Sequence, residues 1–527
     1  MLRSTASKIS EFLKQPCAEI PLAALVEQRS EFRKFLVDSL YTLNSIHSYM
    51  SFARMLIKKA EKLGWKYVEP ELPEAWKALY AAAGKRGVGK YQRSFARQWP
   101  SPSNVSEDGL YDWVRFMVQR GGSYDENRKH ARGLRKILVN AGFTSNLSEQ
   151  KVQKPNYATS ENELPAMLRQ EIENLMKWKT AKFVLGRPTK ARIREITASS
   201  LRSAFRRIHG FATNVEGLAN VSSIRGLLQE SIVSRFMQWA LEERLMEVGS
   251  LRRVISALSG AFRDHPDYSD LNIAWIQPLL RTLPEDDPNE LQLRKESKYL
   301  PHATLAAIPG AIRANRSAAA RRGSKDLAID VRDELLMKWL VTLPWRQRNI
   351  RECRIFGSNA NLFKAKISTR AAISKPRWVQ EAEQQNPDAE FWQFRFAGEE
   401  TKTGNSLHCV LPLKLVGLLE DYIQTYRKEL VRDSDPRTLF LNEDGCPIER
   451  GRLTNLVSEL TLRHGGRVVT PHMFRDCFAY MWLEKFPEDF LTLSKLLWHR
   501  NIQTTITKYG ARFNESTALC RMEDKLP

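Results

Sequence analysis

The residues best suited to chemistry lie in the last third of the 527-residue chain. The stretch 471–476 reads PHMFRD. On a helix its His472 and Arg475 share one face, because residues three apart are neighbours there. A chain this rich in arginine holds about one such pair by chance. The pair therefore needs support from other residues before it indicates a function.

An arginine precedes this pair by more than a hundred residues, in the stretch 344–353, which reads PWRQRNIREC. Arg346 follows a proline at the start of a predicted helix, where a two-pronged guanidinium can hold a phosphate. Arg348 is an alternative. We prefer Arg346, because Ile350 then takes the apolar position four residues later.

Three further residues complete the candidate set. Lys402 lies at the tip of a β-hairpin predicted over 390–411, although a lysine in such a place is usually a solvated charge. His499 ends a short apolar helix pattern that begins at Leu493, and Tyr509 follows a threonine-rich stretch that we interpret as a turn. A phenol has a pKa near 10 and is a poor nucleophile toward an anionic phosphodiester. Two arginines and a histidine would address both difficulties.

The set resembles the catalytic residues of the tyrosine recombinases, the phage-integrase family, in order and approximate spacing. The matching residues are Arg346, Lys402, His472, Arg475, His499 and Tyr509. The resemblance is clear from about residue 333 to 513, weaker over 165–265 and absent before 150. This chain departs from the family pattern at Trp498, where most members have glycine. It departs again at Tyr509, which lies ten residues beyond His499 rather than nine.

The resemblance implies a mechanism and a role for each residue. Arg346 and Arg475 would bind the scissile phosphate and stabilise its transition state, with His499 as a further phosphate contact. His472 would assist deprotonation of Tyr509 or hydrogen-bond the phosphate. Lys402 would protonate the departing 5′-oxygen. The product would be a 3′-phosphotyrosine link, and neither a metal nor a nucleotide cofactor would be required.

The resemblance also implies partners. They are double-stranded DNA, a homo-tetramer assembled on it and accessory recombination proteins. The core-binding and catalytic domains of the family close around the duplex, here with Pro284 to Pro288 as the hinge, and the C-terminal tail from Glu515 to Pro527 would dock on a neighbouring subunit.

The rest of the sequence predicts the elements that position these residues. The pattern is mainly α-helical, and polar, proline-containing stretches at 150–165 and 284–288 mark two boundaries. We expect a helical N-terminal extension at 1–150, serving as a DNA-arm or partner-binding module. A helical core-binding DNA-binding domain, SAM-like by the resemblance, is expected at 165–283, and a mixed α+β catalytic domain with a small β-sheet at 300–527.

Composition limits the classes of function. The formal charge of +22 favours a polyanionic partner, nucleic acid or an anionic membrane surface, although a basic protein without a nucleic-acid role is not excluded by charge alone. Six scattered cysteines argue against a disulfide framework or structural zinc. No run is apolar enough for a signal peptide or a membrane span, so we expect a cytoplasmic, nucleoid-associated protein without a membrane partner.

Two alternatives to the recombinase remain open at this point. One is an accessory DNA-binding protein of the same fold that has lost cleavage, which the displaced Tyr509 keeps open. The other is a type IB-like topoisomerase, which shares the catalytic logic but relaxes DNA as a monomer.

Overall fold

The structure, a computed structural model, describes most of the chain. The described residues are 2–16, 19–39, 41, 43–64, 71–83, 91–119, 123–143, 147, 156–219, 221–285, 299–368, 373–432, 434–510, 519 and 522–523. Most of the predicted C-terminal tail and parts of both predicted linkers lie outside them. The chain divides into two units, one formed by 1–149 with 298–527 and the other by 150–297.

The N-terminal part of the first unit is helical, as predicted. Its helices are α1 (Leu2–Leu13), α2 (Leu22–Glu27), α3 (Arg29–Asp38), α4 (Leu43–Lys62), α5 (Glu74–Ala83), α6 (Gln92–Gln98), α7 (Glu107–Gln119) and α8 (Tyr124–Asn140). Helices α1 to α4 share a small apolar core that includes Phe32 and Leu36. Helices α5 to α8 bury a second core around Trp76, Phe95 and Trp113.

The second unit, 150–297, is a bundle of helices. They are α9 (Ala166–Thr180), α10 (Glu195–Asn214), α11 (Ile224–Leu227), α12 (Glu230–Glu242), α13 (Val248–Ser259) and α14 (Ile276–Arg281). Phe205, Phe211 and Phe236 are fully buried in its core. Gly210 of α10 lets the segment 157–159 approach closely, because an added Cβ would lie 2.1 Å from the Tyr157 carbonyl oxygen.

The C-terminal part of the first unit carries all six candidate residues. Its elements are α15 (His302–Ala314), α16 (Arg316–Arg322), α17 (Ser324–Thr342), α18 (Gln347–Arg351), β1 (Leu362–Ala365), α19 (Arg377–Gln385), β2 (Phe391–Phe396), β3 (Leu407–Val410), α20 (Leu413–Asp421), α21 (Arg450–Gly465), α22 (Pro471–Lys485), α23 (Phe490–Leu496) and α24 (Ile502–Tyr509). The fold is therefore mainly α with one small sheet.

The sheet is antiparallel in the order β1-β2-β3. Leu362 of β1 pairs with Phe394 of β2, and Gln393 of β2 pairs with Val410 of β3. Strands β2 and β3 form the predicted hairpin, with Lys402 in the connection between them. Phe394 and Phe396 point from β2 into the main core, where they meet Trp345.

Helix α21 joins the N-terminal helices to the C-terminal part. Its Leu462 is fully buried in the apolar core of α5 to α8. Its Asn455 amide donates to Asp125 of α8 at 2.7 Å. Just beyond it, the Val468 amide donates to the hydroxyl oxygen of Tyr111, on α7, at 2.7 Å. The segment that leads into α22 is thus held from the N-terminal side.

Within the described residues, no helix combines the length and the apolar character that a membrane crossing requires.

Candidate active site

Arg346 sits where the sequence predicted, at the N-cap of α18. The preceding Trp345 fixes its position, because that indole is buried edge-on against Trp339 at 5.1 Å and Phe394 at 4.8 Å between ring centroids. The Nη1 atom of Arg346 is buried and has no hydrogen-bond partner among the described residues. Burial lowers the pKa of this guanidinium. A partly buried arginine with an unused donor is a site prepared for an anion.

Arg475, on the first turns of α22, is held firmly by backbone groups. Its side chain is 3% exposed. Its Nη2 donates to the Leu497 carbonyl oxygen at 2.7 Å, and its Nη1 donates to the Pro344 carbonyl oxygen. Burial, and then the nearby charge of Arg346, lower its pKa to about 10. The group stays charged at neutral pH, so Arg346 and Arg475 place two positive charges close together.

Tyr509 is the last residue of α24 and is 2% exposed. The threonine-rich stretch before it is therefore a helix, and our interpretation of it as a turn is wrong. Asn501 caps this helix by accepting from the Gln503 amide at 2.9 Å, and the fully buried Thr505 anchors it. The cap and the burial of Thr505 override the low helix propensity of β-branched threonine.

The hydroxyl of Tyr509 donates to Oδ1 of Asp476 at 2.6 Å. Asp476 follows Arg475 on α22 and is 5% exposed. Lys508 donates to the same oxygen at 2.5 Å. Burial, followed by the charge and hydrogen bond of Asp476, raises the pKa of the Tyr509 phenol well above its usual value. The tyrosine is therefore neutral in this arrangement.

Both candidate histidines lie close to this group. Burial, then the charge of Lys508, lowers the pKa of His472. His499 shares a hydrogen bond of 2.8 Å between its Nδ1 and Oγ1 of Thr505, and burial together with Arg475 lowers its pKa to about 4. His499 is therefore uncharged at neutral pH and offers its other ring nitrogen to a ligand.

Lys402 stands apart from these residues. It is exposed, and no hydrogen bond or ion pair joins it to any other residue that the structure describes. The base of its connection is ordered by Thr401, whose buried hydroxyl donates to the Asn405 carbonyl oxygen at 2.8 Å. Asn349 of α18 donates to the Glu400 carbonyl oxygen at 3.3 Å, which ties the hairpin to the helix that begins at Arg346.

The structure distinguishes the two candidate arginines of α18 by their surroundings. Arg348 is half exposed and pairs with Glu352 one turn later on the same helix, at 2.7 Å. Arg346 instead lies close enough to Arg475 to lower its pKa, and close enough to Tyr509 to interact with it electrostatically. The site therefore gathers Arg346, His472, Arg475, His499 and Tyr509, and leaves Lys402 on an adjacent hairpin.

Sequence reasoning gave no role to Asp476, and it treated Trp498 only as an apolar exchange. Trp498 has a left-handed backbone with φ of 52°, a conformation that favours glycine. Its ring packs 5.5 Å from Trp345 and 6.2 Å from Phe396. The available signals were an acid inside the apolar run after Arg475 and a bulky residue at a family glycine position.

Comparisons with known proteins find matches in the C-terminal part of the chain. Residues 328–515 match the sequence model of the phage integrase family. Tyrosine recombinase XerD of Staphylococcus saprophyticus subsp. saprophyticus is 30% identical over 99 residues, which is 18% of this chain and 33% of that protein. XerD of Staphylococcus haemolyticus is 31% identical over the same length and shares. The chain thus spans about a third of the length of the curated relatives it matches.

Solved structures also resemble the chain. A crystal structure of the XerH site-specific recombinase bound to palindromic difH substrate, a post-cleavage complex, covers 80% of this chain and 96% of that one. The sequence identity is 14% and the TM-score 0.42.

Proposed function

Because residues 328–515 match the sequence model of the phage integrase family, we propose that the chain is a site-specific recombinase that cleaves and rejoins DNA strands for a mobile element. It acts through a 3′-phosphotyrosine intermediate. The observation that carries this proposal is the pairing of the partly buried Arg346 with the buried Arg475, next to the buried hydroxyl of Tyr509.

The two arginines bind the non-bridging oxygens of the scissile phosphate. Arg475 is oriented in advance by the carbonyl oxygens of Pro344 and Leu497, so little reorganisation is needed when charge grows on the phosphate. The free Nη1 of Arg346 gains the partner that it lacks. Neutral His499 adds a hydrogen bond without adding charge.

Tyr509 attacks phosphorus and Lys402 protonates the departing 5′-oxygen. The bond between Tyr509 and phosphorus preserves the energy of the broken phosphodiester, so a second strand reseals it without a nucleotide cofactor or a metal. One movement is needed, because the exposed hairpin of Lys402 must close on bound DNA before its ammonium can reach the departing oxygen.

DNA binding has a basis in the second unit. The segment between α9 and α10 carries the exposed cations Lys182, Lys190 and Arg192, together with Phe183, whose side chain is 79% exposed. Cations next to an exposed aromatic suit a nucleic-acid backbone and its bases. We expect double-stranded DNA as the partner, a homo-tetramer on it and an enzyme that works in the cytoplasm on nucleoid DNA.

A covalent-capture experiment tests the proposal. Wild-type protein and Tyr509→Phe are incubated with a pool of labelled, nicked duplexes of randomised sequence, in which cleavage next to the nick releases a short oligonucleotide and traps the enzyme. We expect an adduct that resists denaturant with the wild type and none with Tyr509→Phe, while both bind the pool equally.

Tyr480→Phe is the matched control, because Tyr480 packs edge-on against Tyr509 at 5.7 Å between ring centroids. It should still form the adduct. Adducts with Tyr509→Phe but not with Tyr480→Phe would reassign the nucleophile. Good binding without any adduct would favour the accessory DNA-binding role instead, and relaxation of supercoils without strand exchange would favour the topoisomerase.

A further inference from the structure

The proton of the Tyr509 phenol already takes part in a hydrogen bond in this structure. A phenol has one proton to donate, and Tyr509 donates it to Oδ1 of Asp476 at 2.6 Å. That distance is within the range required of a general base. Asp476 is 5% exposed, so water competes little for the same oxygen.

Asp476 is also held in place and paired with a cation. It follows Arg475 on α22, so the residue that binds phosphate and the residue that receives the phenol hydrogen bond are fixed by the same turn of helix. The ammonium of Lys508 donates to Oδ1 at 2.5 Å. Other groups that interact electrostatically with this carboxylate are Tyr299, His472, Arg475, Cys477 and His499.

We propose that Asp476 is the general base that takes the proton of Tyr509 as the phenol attacks DNA. The inference rests on the proposed function and assigns one step within it. His472 is then free for the other role that the family resemblance allows, a hydrogen bond to the phosphate. Asp476 is a catalytic residue in this scheme, because it touches the attacking oxygen.

The step balances in atoms and charge. The bond from Oη of Tyr509 to phosphorus forms while the bond from phosphorus to the 5′-oxygen breaks. The phenol proton passes to Oδ1 of Asp476, and the leaving 5′-oxygen takes a proton from Lys402. The proton moves late, because the phenol oxygen becomes acidic only as its electrons enter the bond to phosphorus. A carboxylate far less basic than phenoxide is then sufficient as the acceptor.

Asp476→Asn provides the test, since the amide oxygen still accepts a hydrogen bond from Tyr509 but cannot accept its proton at neutral pH. We expect single-turnover adduct formation on the nicked random pool to slow by roughly 10²–10⁴-fold, the range of general acid–base catalysis, with binding of the pool unchanged. Asp444→Asn is the matched control, because Asp444 is exposed in a turn and is not one of the candidate site residues. This variant should react at the wild-type rate.

A second arm separates base catalysis from mere support of the fold. Tyr509 is replaced by a fluorinated tyrosine with a lower phenol pKa, both in the otherwise wild-type protein and in the Asp476→Asn variant. A nucleophile that gives up its proton readily depends less on a base, so the rate difference between the two proteins should shrink by roughly tenfold or more. An unchanged difference would assign Asp476 a structural role and overturn the inference.

The failure of this inference is distinguishable from failure of the proposed function. An adduct with wild type and an equal rate for Asp476→Asn overturns the base alone, whereas absence of any adduct with wild type overturns the function. If Asp476→Asn does not fold, Asp476→Glu replaces it. Its longer carboxylate should retain part of the rate, and complete loss in a folded Asp476→Glu protein would count against the inference.

Discussion

The arginine side of the active site and the lysine hairpin are built in opposite ways. Arg475 is buried, bonded to two carbonyl oxygens and adjacent to Arg346, whose position is fixed by the buried ring of Trp345. Lys402 is exposed, on a connection whose base is tied to α18 but whose tip is not. In the proposed mechanism, the groups that bind phosphate are therefore positioned before DNA arrives, while the acid for the leaving group is brought into place by closure of the hairpin.

The hairpin side should show the largest effect. Lys402→Ala removes the proposed proton donor for the 5′-oxygen, and we expect cleavage to slow by roughly 10²–10⁴-fold. A substrate with sulfur in place of that bridging oxygen should restore most of the rate, because a thiol with a pKa of about 8.5 leaves without a general acid. Single-turnover cleavage of the two substrates measures this.

Lys414→Ala is the control for that prediction, since Lys414 is an exposed lysine on the neighbouring helix α20. It should cleave both substrates at the wild-type rate. A Lys402→Ala enzyme that stays slow on the sulfur substrate would mean that Lys402 binds DNA rather than protonating the leaving group.

The arginine side should respond differently to the same pair of substrates. Arg346→Ala and Arg475→Ala should each slow cleavage by roughly 10²–10³-fold, and sulfur substitution should not rescue either. Arg475→Ala should also lower the melting temperature more than Arg346→Ala, because it leaves the Pro344 and Leu497 carbonyl oxygens without donors. Arg348→Ala, which removes only a surface ion pair, should change little. If Arg348→Ala were the more damaging, our choice of Arg346 would be wrong.

Trp498 tests how rigidly Arg346 is held, because its ring packs against that of Trp345, the residue before Arg346. Trp498→Ala loses this packing and keeps the left-handed backbone, whereas Trp498→Gly loses the packing but relieves the strain. We expect Trp498→Ala to lower the free energy of unfolding by about 2–3 kcal/mol and Trp498→Gly by about 1 kcal/mol less. Equal losses in denaturant unfolding would show that φ of 52° carries no strain.

The smallest effect concerns the protonation of His499. Its pKa falls from 6.5 to about 4 in the folded protein. Stability is therefore lost as the pH drops below 6.5, since the unfolded chain then binds a proton that the folded chain does not. His499→Gln should lose less stability between pH 7 and pH 5, by on the order of 1 kcal/mol after solvent screening.

Thermal unfolding of both proteins at the two pH values measures this difference. His464, whose pKa burial also lowers to about 4, is present in both proteins and cancels. An identical loss in the two proteins would contradict a depressed pKa at His499.

Much of the site could be predicted because its information is local. The helix of His472 and Arg475, the N-cap position of Arg346 and the hairpin of Lys402 follow from spacing, a proline and strand alternation, and all are present. The helix before Tyr509 was missed, because a run of threonines favours a turn unless the burial of Thr505 is known.

The remaining features depend on contacts between distant parts of the chain. The bond from Tyr509 to Asp476 spans 33 residues, and the one from Val468 to Tyr111 spans 357. No local pattern specifies either partner. The residue type of Trp498 also gives no sign of its left-handed backbone, since tryptophan rarely adopts that conformation.

The burial of Leu462 among α5 to α8 limits where the protein can be cut into stable fragments. A fragment that starts at residue 299 would expose Leu462 of α21 to solvent. The segment that leads to His472 would also lose its hydrogen bond to the hydroxyl of Tyr111. Such a fragment should aggregate and have low activity, even though every candidate catalytic residue is present. The smallest useful piece of the first unit therefore includes residues 71–147.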